Sequence, residues 1–384
     1  MKKILILGGS HRDIPLIKAS QELGYYVITL GDKDYYLGHN YSDKSYLINF
    51  NDLEQVKIII KDENIDFLLP GCGEESYLNT VQLSQELNIG NFDSLEVAKL
   101  IHNKWKFKIF CLENNISTPK GIFYSSDSDI INLNYPIVVK PTNLSGGRGV
   151  DIVNNKIELK NSIKKSQELS SEIFLEEFID GELIAYSIIL INQQIHYGFT
   201  GADETYLNKY LITTAYPIDI NLTILNRLKY NIEKLAKLLD LVDGMFHLQI
   251  LIKNNIPYII DVTRRIPGDF YPNLIEYCDE VNYSQAIVKA YTTGIIDTEF
   301  SNQNNNQNFI IRHCIMPDKN GIFKDIYIDD ILKNNIIFRF DLMEKNTIVN
   351  DYLNTQVAIV FIQIDRNNHI INCINNLIKV VIKE

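Results

Sequence analysis

The sequence predicts an α/β protein that turns α+β in its central part, with a parallel-sheet unit first and a small β-rich segment last. Three observations carry this. Short apolar runs alternate with amphipathic helix patterns over the first third. The composition then shifts, after about residue 115, to longer strands that read as antiparallel. Finally, "GMFHLQILIKNNIPYIIDVTRRIPGD" (244–269) reads as a β-hairpin with polar residues at every second position.

Taken in order, "KILILGG", "YYVITLGD", "SYLINF" and "IDFLLPG" are the strands of the first unit, and "DIPLIKASQELG" and "DLEQVKIIIKDEN" are helices between them. "EESYLNTVQLSQELN" is a third helix, after the fourth strand. In such sheets ligands gather beyond the carboxyl ends of the strands, which here are "GGSHRD" (8–13), "GDKD" (31–34) and "PGCGEES" (70–76). One long helix is expected over 94–115. "PIVVKP", "EIFLEEFIDGELIAYSIILI" and "IHYGFTGADETY" follow as strands, then "ILNRLKYNIEKLAKLLDL" as a helix before the hairpin and another helix from about Tyr271. The polar stretch "SNQNNNQN" (301–308) is the linker candidate, and three short β-like runs follow it. The expected units are 1–93, 94–300 and 309–384.

At 384 residues the chain can bury a full core in two or three domains. Its net charge of −11, without a basic run, argues against nucleic-acid or anionic-membrane partners. Five scattered cysteines without CxxC spacing suggest free thiols in a reducing compartment. The apolar run Ile4 to Leu7 is too short for a signal sequence, and no later run approaches a membrane span, so a soluble cytoplasmic protein is expected.

Four motifs carry chemistry. "GGSHRD" lets backbone N–H groups approach an anion, although it lacks the full G-x-G-x-x-G; a plain strand–helix turn is the competing reading. "VVKPTNLSGGRGV" delivers Lys140 at a strand end, then a glycine-rich loop of Ser145, Gly146, Gly147, Arg148 and Gly149 that could close on phosphates; the alternative is a glycine-rich hairpin turn. "FLEEFIDGELIAYSI" sets backbone groups at Glu177 to Ile179 where an adenine edge could be read, with Glu182 near ribose hydroxyls, though acidic residues beside a strand are commonly just solvated. On the hairpin, His247 and Gln249 share a face, as do Asp261, Thr263 and Arg265. Magnesium takes hard oxygen ligands and leans on substrate phosphates. Arg265 offers a donor fork for phosphate or carboxylate. A solvated polar face is the simpler alternative for the hairpin.

In this order, with Lys104 on a helix ahead of them, these residues resemble the ATP-grasp superfamily, in its biotin carboxylase and carbamoyl-phosphate synthetase-like branch, from Met1 to about Thr293. The resemblance implies the ATP-grasp fold, with ATP held between two lobes and Mg²⁺, or Mn²⁺, beside it. Lys104 and Lys140 look like the lysines on the α and β phosphates, and "SGGRGV" like the flap over the γ-phosphate. Glu176, Glu177, Phe178 and Ile179 look like the adenine hinge, with Glu182 on the ribose; relatives commonly carry that carboxylate one place later, at Leu183 here. Gln249 and Asp261 fall where metal-binding glutamates are usual, and Thr263 where an asparagine is usual. Arg265 looks like the arginine that steadies the transferred phosphoryl group.

The implied activity is an ATP-dependent ligase joining a small-molecule carboxylate to an amine through an acyl-phosphate. A phosphotransferase on the same fold and a non-catalytic nucleotide-binding module stay open, the last because Gln249 removes a charge from the metal site. Gly9, Ser10, His11, Arg12, Cys72, Gly73, Glu74 and Glu75 are expected to line the substrate end, together with Arg264, Gly268 and Asp269. His247 and Asp269 are candidates for substrate contact or proton handling. Cys72 reads as a packing residue rather than a nucleophile. A homodimer is among the expected assemblies.

Overall fold

Burial on both faces explains why the first strands are continuous apolar runs rather than alternating ones. In the computed structural model, which describes residues 1–126, 133–142, 149–300, 308–366 and 369–383, the chain opens with β1 (Lys3–Leu7), α1 (Ile14–Glu22), β2 (Tyr26–Gly31), β3 (Lys44–Leu47), α2 (Leu53–Glu63) and β4 (Phe67–Pro70). The four strands form a parallel sheet in the order β3-β2-β1-β4. Leu5, Leu7, Ile28 and Leu30 pack with Val56 and Ile59 of α2, while Ile4, Ile6 and Val27 join a larger core that includes Ile14 and Ile17 of α1.

After α3 (Glu74–Leu87) the structure departs from the expected single helix over 94–115. Two helices stand there, α4 (Leu95–His102) and α5 (Lys104–Glu113). Asn103 leaves helical geometry (φ −90°, ψ 96°) and its side chain accepts from the Lys106 N–H, ending one helix and capping the next. A polar cap inside an otherwise periodic run is invisible to periodicity. The break makes Lys104 the first residue of α5.

A four-stranded antiparallel sheet follows, built from β5 (Gly121–Phe123), β6 (Ile137–Pro141), β7 (Asp151–Val153) and, after α6 (Lys156–Gln167), β8 (Ile173–Glu177), in the order β5-β8-β6-β7. Residues 178–181 then cross to an eight-stranded antiparallel sheet. Its elements are β9 (Glu182–Ile191), β10 (Gln194–Thr205), β11 (Ile212–Pro217), α7 (Leu222–Leu238), the hairpin β12 (Gly244–Lys253) and β13 (Ile256–Thr263), α8 (Tyr271–Asp279), α9 (Tyr283–Thr292) and β14 (Phe309–Ile315). The last segment adds β15 (Gly321–Ile328), β16 (Ile336–Asp341), β17 (Ile348–Val349), β18 (Ala358–Ile364) and β19 (Ile378–Lys383). The large sheet runs β13-β12-β9-β10-β11-β14-β18-β16, so three C-terminal strands continue it edge to edge, while β17-β15-β19 form a separate small sheet. Its two faces are buried by α7 on one side and by α8 and α9 on the other. Among the described residues, no helix is long and apolar enough to cross a membrane, and all five cysteines are free.

Arg264, expected at the substrate end, lies elsewhere. It is fully buried, donating from Nε to Asp93 Oδ2 (2.9 Å), from Nη1 to Met245 O (2.7 Å) and from Nη2 to Val242 O (2.7 Å). Tyr291 donates its hydroxyl to the Arg264 carbonyl. Asp93 also accepts from the Val242 N–H at 2.9 Å. This pair fastens the segment ahead of α4 to the base of the hairpin. Asp93→Ala would leave a buried guanidinium uncompensated and should cost about 3–5 kcal/mol of stability. Urea unfolding should show the midpoint fall at an unchanged slope.

Candidate active site

The hairpin register places the polar pairs side by side: His247 opposite Thr263, and Gln249 opposite Asp261, with a bulge just beyond Gln249. Because alternate residues share a face, all four point one way. They line one cavity of about 350 Å³ with Glu74, His102, Lys104, Arg265 and Gly268. Lys104 Nζ donates to Asp261 Oδ2 at 2.6 Å. Burial alone would raise the Asp261 carboxyl, but Lys104 outweighs it and holds the group below the usual carboxylate range. The same partner raises Lys104. Both therefore stay charged at neutral pH.

Lys140 reaches the cleft from β6 of the smaller sheet. Its ammonium meets one oxygen of Glu176 on neighbouring β8, and the other oxygen takes Lys108 of α5. Glu176 is buried and its carboxylate bonds both amines, yet burial still lowers both lysines, Lys108 well below its usual range and Lys140 to about 8. Just ahead of the crossing between the sheets, the Glu176 side chain is thus committed to the lysines. The N–H groups of Glu177 and Phe178, expected to meet adenine, are also engaged, with Lys120 O (2.9 Å) and Pro136 O (3.0 Å). Glu182 opens β9 and is exposed. Of the glycine flap only Gly149 is described, with φ +72°; Ser145, Gly146, Gly147 and Arg148 lie outside the described residues.

Lys108 escaped the sequence reading although its signal was present. It stands four residues after Lys104, one helical turn along the same face. Asp203 of β10 left no such trace, because only sheet pairing across β9 brings it near Gln249. Burial pushes the Asp203 carboxyl up to about 7, against the pull of Arg312 and the Gln249 side chain. Its Oδ1, the Tyr271 hydroxyl and Arg312 Nε are buried without hydrogen-bond partners.

His247 shares a hydrogen bond of 2.7 Å between Nδ1 and the Ser187 hydroxyl, and its ring meets Tyr271 edge-on. Burial, then the Arg265 charge, pushes it down to about 4, so it is neutral at pH 7. His102, stacked on Tyr77, is pushed to about 3 for the same two reasons.

The expected substrate residues divide between two places. Gly9, Ser10, His11, Arg12, Cys72 and Gly73 line a neighbouring cavity of about 500 Å³ beyond the parallel strands. Glu74 and Gly268 face the hairpin cavity instead. Glu75 turns away and accepts from Asn51 at 3.1 Å. Asp269 is already engaged: Arg12 Nε (3.0 Å), His11 Nε2 (3.4 Å) and Gln356 Nε2 (3.2 Å) all reach its carboxylate. Burial would raise that carboxyl, yet His11, Arg12 and Arg312 hold it well below the usual range. The two cavities meet where Cys72 Sγ lies 3.8 Å from Arg265 Nη1. Burial raises the Cys72 thiol, leaving it a poor nucleophile.

Known proteins share parts of this sequence and its fold. Residues 104–263 match the family model described as D-ala D-ala ligase C-terminus. The chain is 27% identical over 191 residues to a formate-dependent phosphoribosylglycinamide formyltransferase from Prochlorococcus marinus, covering 47% of this chain and 49% of that one. It is 26% identical over 298 residues to D-alanine–D-alanine ligase A from Clostridium perfringens, covering 70% and 88%. The chain thus spans about half the length of the formyltransferase. Among solved structures, phosphoribosylglycinamide synthetase from Anaerococcus prevotii superposes with TM-score 0.80 at 20% identity over 100% of both chains. L-amino acid ligase from Bacillus licheniformis gives 0.82 at 16% identity, over 100% and 99%. The fold is the ATP-grasp fold.

A pH dependence follows from the buried histidines. His102, His247 and His313, the last also near 3 through burial, bind protons more weakly folded than unfolded. The unfolded chain therefore takes up more protons as pH falls through about 6.5, and stability drops. Urea unfolding at pH 7, 6 and 5 should show the loss, each histidine contributing up to about 1.4 kcal/mol per pH unit. His247→Gln should flatten the slope.

Proposed function

We propose that the chain is an ATP-dependent carboxylate–amine ligase that works through an acyl-phosphate. One observation carries the reading: the hairpin presents Asp261, Gln249 and Arg265 to a cavity shared with Lys104, and Lys140 of the other sheet lies close enough to feel the charges of Lys104 and Asp261. ATP lying between the sheets would exchange its phosphates for the carboxylates that now hold the lysines. Lys104, Lys108 and Lys140 would neutralise the phosphate chain, and Arg265 the oxygens of the transferred group.

The donor set fits Mg²⁺ as part of a nucleotide complex. Among the described residues, no cluster of three or more His, Cys, Asp or Glu could hold a metal ion alone. Asp261 and the Gln249 carbonyl supply two hard oxygens, and phosphate oxygens would complete the shell. When bound, the ion would draw charge from the phosphate oxygens.

A carboxylate oxygen of the substrate attacks the γ-phosphorus, and the bond to the bridging oxygen breaks with its electron pair leaving on ADP. The amine nitrogen then attacks the acyl carbon. The carbon–oxygen bond to phosphate breaks, phosphate leaves with that pair, and the nitrogen gives up its extra proton to phosphate or water. His247, neutral and held by Ser187, can orient a substrate by hydrogen bonding but carries no spare proton at pH 7.

ADP release should require both a carboxylate and an amine, and hydroxylamine in place of the amine should trap a hydroxamate. A stable phosphorylated product formed without amine would make the chain a kinase instead. Arg265→Ala should lower kcat about 10²–10³-fold in the same ADP assay. Gln249→Glu adds a carboxylate to the metal site, so half-saturation by Mg²⁺ should come at lower concentration.

A further inference from the structure

We infer that the organic molecule seated in the 500 Å³ cavity beyond the parallel strands carries no phosphate and presents an apolar body; this rests on the ligase reading of the adjoining cleft. The carboxyl ends of parallel strands are where backbone N–H groups ordinarily receive a phosphate. In this chain they are filled from within. Asp13 Oδ2 accepts from Gly9 N (2.9 Å), Ser10 N (2.8 Å) and Ser10 Oγ (3.0 Å), and its Oδ1 accepts from Cys72 N (2.7 Å). Asp13 is almost wholly buried. The backbone is shaped to this carboxylate: a Cβ on Gly8 would meet Asp13 Oδ2 at 2.7 Å, and one on Gly71 would meet Oδ1 at 3.0 Å.

A phosphate entering the cavity would therefore find the strand-end donors occupied and a fixed negative charge behind them. The remaining cationic groups do not compensate. Among the described residues, His11 and Arg12 are the only basic side chains that line the cavity, and both already share the Asp269 carboxylate. The outer half of Arg12 is exposed and can accept one carboxylate from a ligand, not a dianion flanked by Asp13 and Asp269. The rest of the wall is largely apolar, with Tyr36, Phe50, Leu211 and Leu342. The chemistry is that of an aryl or alkyl amine or acid with at most one negative charge. Its reacting end points toward Cys72 and Gly268, where the cavity meets Arg265. The phosphoribosyl compounds in the names of two relatives have the opposite character.

The test uses the full chain, Mg²⁺ and ATP with two panels. One holds phenylalanine, leucine, phenethylamine and phenylacetate; the other holds phosphoserine, phosphoethanolamine and glycinamide ribonucleotide. Each compound is tried with a common partner, glycine for the acids, acetate for the amines, and both for amino acids. The phosphate-free panel should stimulate ADP release at least about tenfold more than the phosphorylated one. Stimulation led by the phosphorylated panel overturns the inference. If neither panel releases ADP, thermal shift without ATP decides separately. Stabilisation by the phosphate-free panel alone keeps the cavity inference and removes the ligase reading, whereas stabilisation led by the phosphorylated panel, or none, overturns the inference. Phe50→Ser should weaken the binding about tenfold; an unchanged affinity would place the ligand elsewhere and also overturn it.

Discussion

The buried pair of Arg264 and Asp93 is the constraint on which the rest of the site depends. Successive residues at a strand end point to opposite sides. Locking Arg264 inward, against Asp93 and two backbone carbonyls, therefore turns Arg265 outward to the cleft. The same bond fixes the chain just ahead of α4 to the hairpin base, and α4 leads through Asn103 directly to Lys104. One desolvated ion pair thus sets the distance between the arginine and the lysine that flank Asp261. Removing two charges from water is costly, and such a pair is weak proof of stability. Its contribution here is geometric: it offers a single register for two elements far apart in the sequence.

The cleft itself holds its charges in pairs. Asp261 answers Lys104, and Glu176 answers both Lys108 and Lys140. Cations gathered for a polyphosphate would repel one another before it arrives, and the carboxylates remove that repulsion. Glu176 is the more consequential of the two, because it joins α5 to the smaller sheet. A nucleotide that competes for Lys108 and Lys140 would loosen the tie between α5 and the smaller sheet, so binding and the set of α5 against that sheet would be coupled through one carboxylate. On the ligase reading, Asp261 would be free to serve as a metal ligand once Lys104 turned to phosphate.

Much of this was legible in the sequence wherever the signal is local. The parallel strands showed as apolar runs, and the shared face of the hairpin's polar residues followed from its two-residue period. The order of lysine, lysine, glycine flap and hairpin pointed to the fold. What was missed depends on partners distant in the chain. Arg264 and Arg265 are neighbours of identical chemistry, and only Asp93, 171 residues away, tells them apart. "GGSHRD" carries the donors for an anion and also the anion that occupies them, since Asp13 closes back on Gly9 and Ser10. Asn103 interrupts a helix by capping rather than by breaking the apolar pattern. Nor does composition show that β14, β18 and β16 prolong the large sheet, because edge pairing leaves no mark on a single strand.

Gln249 is best understood with its surroundings. A glutamate there would stand near Asp203, whose carboxyl burial already pushes up to about 7, beside a second acidic residue, Asp261. Three carboxylates around one buried corner would hold at least one proton, on Asp203, whose carboxyl burial already raises. A neutral amide leaves the corner with fewer charges to bury. Its nitrogen can satisfy Asp203 while its oxygen stays available to a cation, and it needs no proton removed to serve. On the ligase reading, the charge it forgoes would come from the phosphates of an incoming nucleotide, so a metal ion would bind with ATP rather than to the empty cleft.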